Sequence, residues 1–120
     1  MPGPLCFVDN HRSMLDIVKR PLAELDLIVI ASHIEFDAGP RVADRFLNAA
    51  ENAFERLAFM PGIGVERTYG TVVMRMWTIP KFSNYLIFYT TSGSDLEIIR
   101  VLHGAQDLAG ILDPDPNPSE

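Results

Sequence analysis

Six residues in the second half of the chain could do chemistry on a phosphodiester: Arg75, Arg100 and His103, with Lys81, Tyr85 and Tyr89 behind them. Metal-free cleavage of RNA needs a base for the 2′-hydroxyl, an acid for the leaving oxygen and cations on the scissile phosphate. Histidine titrates near neutrality and can serve as acid or base. Two arginines on sheet strands could point into one cleft. Each of the three leading residues has a plainer role as well. An arginine on a strand commonly pairs with a nearby carboxylate while its stem covers apolar surface. His103 stands at a strand end before Gly104, where its ring can tie down the following turn. Of the other histidines, His11 precedes any patterned segment and His33 falls on a helix. The chain has no HExxH, no CxxC and no carboxylate set with ligand spacing, so it points to no metal site and no cofactor.

The elements that position these residues can be read from the pattern of apolar positions. Tyr85 to Tyr89 is a continuous apolar and aromatic run, the mark of a strand covered on both faces. Thr90 to Asp95 is small and polar with one glycine and suits a hairpin connection. Leu96 to Leu102 is a second strand that delivers Arg100 and, just beyond it, His103. Val72 to Ile79 alternates, placing Val73, Arg75, Trp77 and Ile79 on one face and Val72, Met74, Met76 and Thr78 on the other. The two methionines are expected to fill the core beneath the helices. Val65 to Gly70 reads as a loop. A short helix is expected from Ala105 to Leu112, with Asp107 as its cap.

The first half is helical after a short strand at Leu15 to Lys19. Pro21 suits a first helical position, where its fixed φ and missing N–H cost nothing. A helix follows to about Phe36 with two apolar stripes. Leu22, Leu25, Ile28, Val29, Ser32 and Phe36 form one; Ala23, Leu27, Ile30 and Ile34 form the other. A helix apolar on two sides is expected to be packed on two sides, by the sheet and by the next helix. A break at Asp37-Ala38-Gly39 precedes Pro40 and a second helix with Val42, Phe46, Ala49, Ala53 and Leu57 at helical spacing. The short break implies an antiparallel helical hairpin, ended by Pro61, Gly62 and Gly64. The expected architecture is α+β: an N-terminal strand, the hairpin, a three-stranded antiparallel meander and a short C-terminal helix, with the hairpin on one sheet face.

Composition narrows the function classes. The 120 residues suffice for one core, and a hydrophobic share of 48 % is too high for a disordered chain. No apolar run approaches the ~20 residues of a membrane span. The lone Cys6 allows no intrachain disulfide and fits a reducing cytoplasm. Net charge is −6, and residues 14–112 hold 12 acids against 9 bases. That balance weighs against direct DNA binding, which is largely electrostatic. Residues 1–13 read as a flexible leader that an upstream start codon would explain, and residues 113–120 as a disordered acidic tail.

The strings YLIFY and EIIRVLHGAQDL resemble the C-terminal half of the ParE/RelE toxins of type II toxin–antitoxin systems, and most of all the ParE-like branch. Tyr85, Leu86, Ile87, Phe88, Tyr89, Ile98, Arg100, Val101, His103, Gly104, Ala105 and Asp107 carry the likeness. Gln106 departs from it, since the family usually has arginine there. The resemblance spans residues 14–112 and implies the same α+β fold. It also implies a bacterial cytoplasmic toxin, often a plasmid-stabilisation factor, that inhibits DNA gyrase and is neutralised by a ribbon-helix-helix antitoxin. The antitoxin would lay an apolar segment over the helical hairpin or the sheet's open side. Arg75, Arg100, His103 and Gln106 are then the residues of a functional face. Two alternatives remain, because the fold is shared between branches. One is a RelE-type, ribosome-dependent mRNA endoribonuclease using Arg75, Arg100 and His103. The other is a degenerate toxin that binds its antitoxin and poisons nothing, with Gln106 as the loss.

Overall fold

The computed structural model of the protein describes residues 14–113. The leader at 1–13 and most of the acidic tail, residues 114–120, lie outside them. Strand β1 (Asp16–Lys19) leads into helix α1 (Pro21–Ala38) and helix α2 (Pro40–Phe59), then a single 3-10 turn (Pro61–Ile63). Four strands follow, β2 (Val65–Tyr69), β3 (Val72–Ile79), β4 (Phe82–Ser92) and β5 (Asp95–His103), and a last turn of helix, α3 (Leu108–Leu112). The sheet order is β1-β5-β4-β3-β2. β1 is parallel to β5 and every other pair is antiparallel.

The α+β class and the helical hairpin on one sheet face are as expected. The hairpin is tighter than the sequence suggests. α1 continues through Asp37 and Ala38, and Gly39 alone makes the break, with φ 97°. That is a left-handed conformation that side-chain-bearing residues rarely adopt. Pro40 then opens α2 at once.

The meander has four strands where three were expected. Val65 to Tyr69 pairs with β3 from Val65↔Met76 to Tyr69↔Val72. This segment is the sheet's edge, exposed along all but its last residue. An edge strand needs no apolar alternation, and charges such as Glu66 and Arg67 discourage pairing with another chain.

Two cores sandwich the sheet. Between the hairpin and the sheet lie Ala23, Leu27 and Ile30 of α1, Phe46, Phe54 and Leu57 of α2, and Ile79, Ile87, Tyr89, Leu96 and Ile98 of the strands. On the far face, Met74, Phe88 and Leu102 are covered by Leu112 of α3, with Met76 and Ile111 at the margin. The methionines thus fill the core beneath α3 and not beneath the hairpin. Trp77 and Ile79, on the opposite pleat of β3, take the hairpin side. Two covered faces explain the unbroken apolar run of β4. Ile87, Phe88 and Tyr89 are buried, and Tyr85 and Leu86 are half-buried.

The register between β4 and β5 slips once. Phe88 pairs with Arg100 and Tyr89 with Ile98, so Ile99 is the extra residue of a bulge. The bulge shifts the alternation, so that Ile98 and Val101, three residues apart, both face the hairpin core, and Ile99 and Leu102 the other. It also re-aims the strand just before Arg100.

The apolar stripe of α1 that begins at Leu22 has no cover among the described residues. Phe36 is 90 % exposed, Ile28 63 %, Leu22 and Leu25 each 53 %, and Val29 47 %. The expectation that α1 is packed on two sides is corrected: the sheet and α2 both meet one side, which leaves the other open.

Candidate functional site

Arg100 leaves β5 beside α1. Its Nε donates to Asp26 Oδ2 at 2.7 Å and its Nη2 to Asp26 Oδ1 at 2.9 Å. The same carboxylate accepts the backbone N–H of Val101 at 3.0 Å. The reason is local. β1 stops at Lys19, opposite Ile98, so beyond Ile98 the rim of β5 has lost its neighbouring strand. Asp26 supplies the acceptor that a strand would have supplied. The fork-shaped guanidinium matches a carboxylate in two bonds, and the bond to Asp26 holds the Arg100 pKa above its ordinary value against the opposing effect of burial. Next to it, Arg20 binds Glu97 through Nε at 3.1 Å and Nη2 at 2.6 Å.

Arg75 points elsewhere. It is opposite Tyr89 in the β3–β4 register, and its Nη1 donates to the carbonyls of Gly64, at 2.7 Å, and Gly62, at 3.5 Å. Tyr89 completes the latch, its hydroxyl donating to Pro61 O at 2.6 Å and accepting from Gly64 N at 3.0 Å. The two side chains thus pin the 3-10 turn to the sheet. Gly64 is required there, because a Cβ would collide with the Tyr89 ring. Burial raises the Tyr89 pKa, partly offset by the Gly64 bond and the charge of Arg75. An open cleft of about 350 Å³ lies beside the latch, lined in part by Arg75, Glu66 and Thr91.

His103 sits at the end of β5, edge-on to Tyr85 with ring centroids 5.1 Å apart. Its Nδ1 accepts the N–H of Ala105 at 3.0 Å. Its backbone N–H donates to Gln106 Oε1 at 2.8 Å, and Gln106 N returns a bond to His103 O at 3.0 Å. Gln106 therefore closes the turn with an acceptor that an arginine does not possess. Asp107 caps α3, accepting from Gly110 N at 3.2 Å.

The three residues proposed from sequence for phosphodiester chemistry are thus not brought into one cleft. Arg100 is held by α1, Arg75 by the 3-10 turn on the other side of β4, and His103 by the turn after β5. Tyr85 and Tyr89 serve packing and the latch. Lys81 lies in the β3–β4 turn with φ 71°, the one non-glycine residue with positive φ among those described. No group of three metal-ligating side chains occurs among the described residues, and none of their helices is long and apolar enough to cross a membrane.

What the arrangement offers is an interaction surface. Sequence reasoning counted the stripe Leu22, Leu25, Ile28, Val29 and Phe36 as core. It stands open, and Ile28, Val29, Ser32, His33 and Phe36 line a shallow depression of about 420 Å³. Asp26, which fixes Arg100, was also missed. Its partner is 74 residues away, so no local pattern announces it.

Comparison with known proteins agrees with this architecture. The sequence model described as the ParE toxin of the type II toxin–antitoxin system parDE matches residues 17–108. Toxin ParE3 of Caulobacter vibrioides is 31 % identical over 74 residues, covering 62 % of this chain and 71 % of that protein. A solved structure titled as a chromosomal ParDE toxin–antitoxin system from P. aeruginosa superposes with a TM-score of 0.64 at 19 % identity, over 76 % of this chain and 97 % of that one. The match to the family across β1 to the start of α3, together with the ParE3 likeness, places this chain in the ParE toxin family of type II toxin–antitoxin systems.

Proposed function

We propose that this ParE-family toxin acts as a protein-interaction poison of the bacterial cytoplasm, inhibiting DNA gyrase until an antitoxin of the ribbon-helix-helix type covers it. The observation that carries the reading is the open side of α1. Five large apolar side chains recur over four turns at helix-anchor spacing, the pattern that an amphipathic partner helix recognises in a groove. Exposed apolar surface of that extent marks binding sites in soluble proteins. The antitoxin is proposed to lie there. The engagement of Arg75, Arg100 and His103 by three separate structural partners supports interaction over RNA cleavage as the toxic act.

The test is a gyrase supercoiling assay run beside ribosome-programmed mRNA cleavage with one protein preparation. Loss of supercoiling with intact mRNA is the expected result. mRNA cuts that vanish in His103→Ala would replace the reading with a RelE-type endoribonuclease. Silence in both assays, with antitoxin binding intact, would mark a degenerate toxin.

A further inference from the structure

A groove of about 540 Å³ opens between α2 and the β3–β4 turn. Neither the α1 face nor the latch on the 3-10 turn includes it. Ala49, Val42 and Phe82 give it an apolar floor. Phe82 is held rigid by edge-on packing against Phe46, centroids 5.4 Å apart. Arg45 and Lys81 supply two cations at the rim, and Asn48 and Asn52 supply two amides one helical turn apart. No acidic residue lines the groove.

These cations differ from four of the others in the fold, whereas Arg41, Arg56 and Arg67 likewise have no side-chain partner among the described residues but line no groove with them. Lys19 is paired with Glu51, Arg20 with Glu97, Arg100 with Asp26, and Arg75 is bonded to carbonyls. Arg45 and Lys81 form no ion pair or hydrogen bond among the described residues. In a chain of net charge −6, two unpaired cations over one apolar floor are a local reversal of sign. Lys81 moreover occupies a positive-φ position where glycine or asparagine would sit without strain.

We propose that this groove docks an acidic, amphipathic peptide segment of a partner protein. One apolar side chain of the segment rests on Phe82 and Ala49, a carboxylate is held by Arg45 and Lys81, and Asn48 and Asn52 bond its backbone. Charge complementarity selects this occupant. Nucleic acid is the poorer fit, because its affinity scales with the number of phosphates neutralised and only two cations are present. The proposal does not depend on the α1 face or on the identity of the toxin's target.

A random dodecapeptide library displayed on phage, selected on the wild-type protein and counter-selected on Lys81→Gly, tests it. Lys81→Gly removes the cation while relaxing the turn, so the fold is retained. Expected are peptides with Asp or Glu beside apolar residues. Synthetic labelled copies should bind wild type and Ile28→Asp alike, weaken as salt rises, and lose roughly tenfold or more in affinity on Lys81→Gly and on Arg45→Glu. Selection without acidic enrichment overturns the proposal. So does undiminished binding to Lys81→Gly and Arg45→Glu, or loss on Ile28→Asp alone, which would assign the peptides to α1. Displacement by a single-stranded oligonucleotide would make the groove a nucleic-acid site instead.

Discussion

The two sides of α1 are made of the same kind of residue and do opposite things. Ala23, Leu27 and Ile30 on one side are buried in the core, whereas Leu22, Leu25, Ile28 and Phe36 on the other face solvent. Burial makes the first set a source of folding stability at about 25 cal/mol per Å². The second set contributes little to the lone chain and, under the function proposed above, is the surface that the antitoxin covers. Hydrophobicity alone does not tell the two roles apart; cover does.

Substitutions on α1 and beside it separate these roles. The largest effect on stability belongs to the inner side. Leu27→Ala should cost about 2–4 kcal/mol by denaturant unfolding, through lost burial and a residual cavity. A cost under about 1 kcal/mol would mean the inner side is as dispensable as the outer. Asp26 stands at the boundary, and Asp26→Ala strands both Arg100 and the Val101 N–H. A loss of about 2 kcal/mol is expected, reduced when Arg100→Met is added in a double-mutant cycle.

Tyr89→Phe, remote from α1, removes two bonds to the 3-10 turn and should cost about 1–2 kcal/mol without altering antitoxin affinity. It also carries a pH signature. The folded protein holds the Tyr89 proton more tightly than the unfolded chain does, so stability is full below the ordinary tyrosine value of 10.0 and falls as pH rises through the higher folded value. Tyr89→Phe should flatten that decline in alkaline melts. Smallest in stability is Phe36→Ser on the outer side, within about 0.5 kcal/mol of wild type. Antitoxin affinity measured calorimetrically should nevertheless drop roughly tenfold or more. Unchanged affinity for both Phe36→Ser and Ile28→Asp would remove α1 from the interface.

What sequence revealed follows from the range over which each signal acts. The helices announced themselves through Pro21, Pro40 and helical spacing, and β4 through its unbroken apolar run. Periodicity showed that both sides of α1 want cover, but it is silent on whether the cover lies in the same chain. β2 escaped notice because an edge strand carrying Glu66 and Arg67 in its middle has no buried side to leave a pattern. Met74 and Met76 were placed on one pleat, yet which core that pleat meets depends on where α3 folds back. The roles of Arg75 and Arg100 are set by Gly64, 11 residues distant, and Asp26, 74 residues distant. Neither contact has a local signature.

The carboxylate of Asp26 has a further consequence for how this molecule can assemble. By occupying Val101 N–H where β1 has ended, it stoppers the stretch of the β5 rim that β1 leaves uncovered, so an incoming backbone finds one fewer free donor there. The outer rims of the sheet are then those of the short β1 and of β2. A chain that extends the sheet on the β2 side must arrange its own charges around Glu66 and Arg67, which makes growth there selective by sequence.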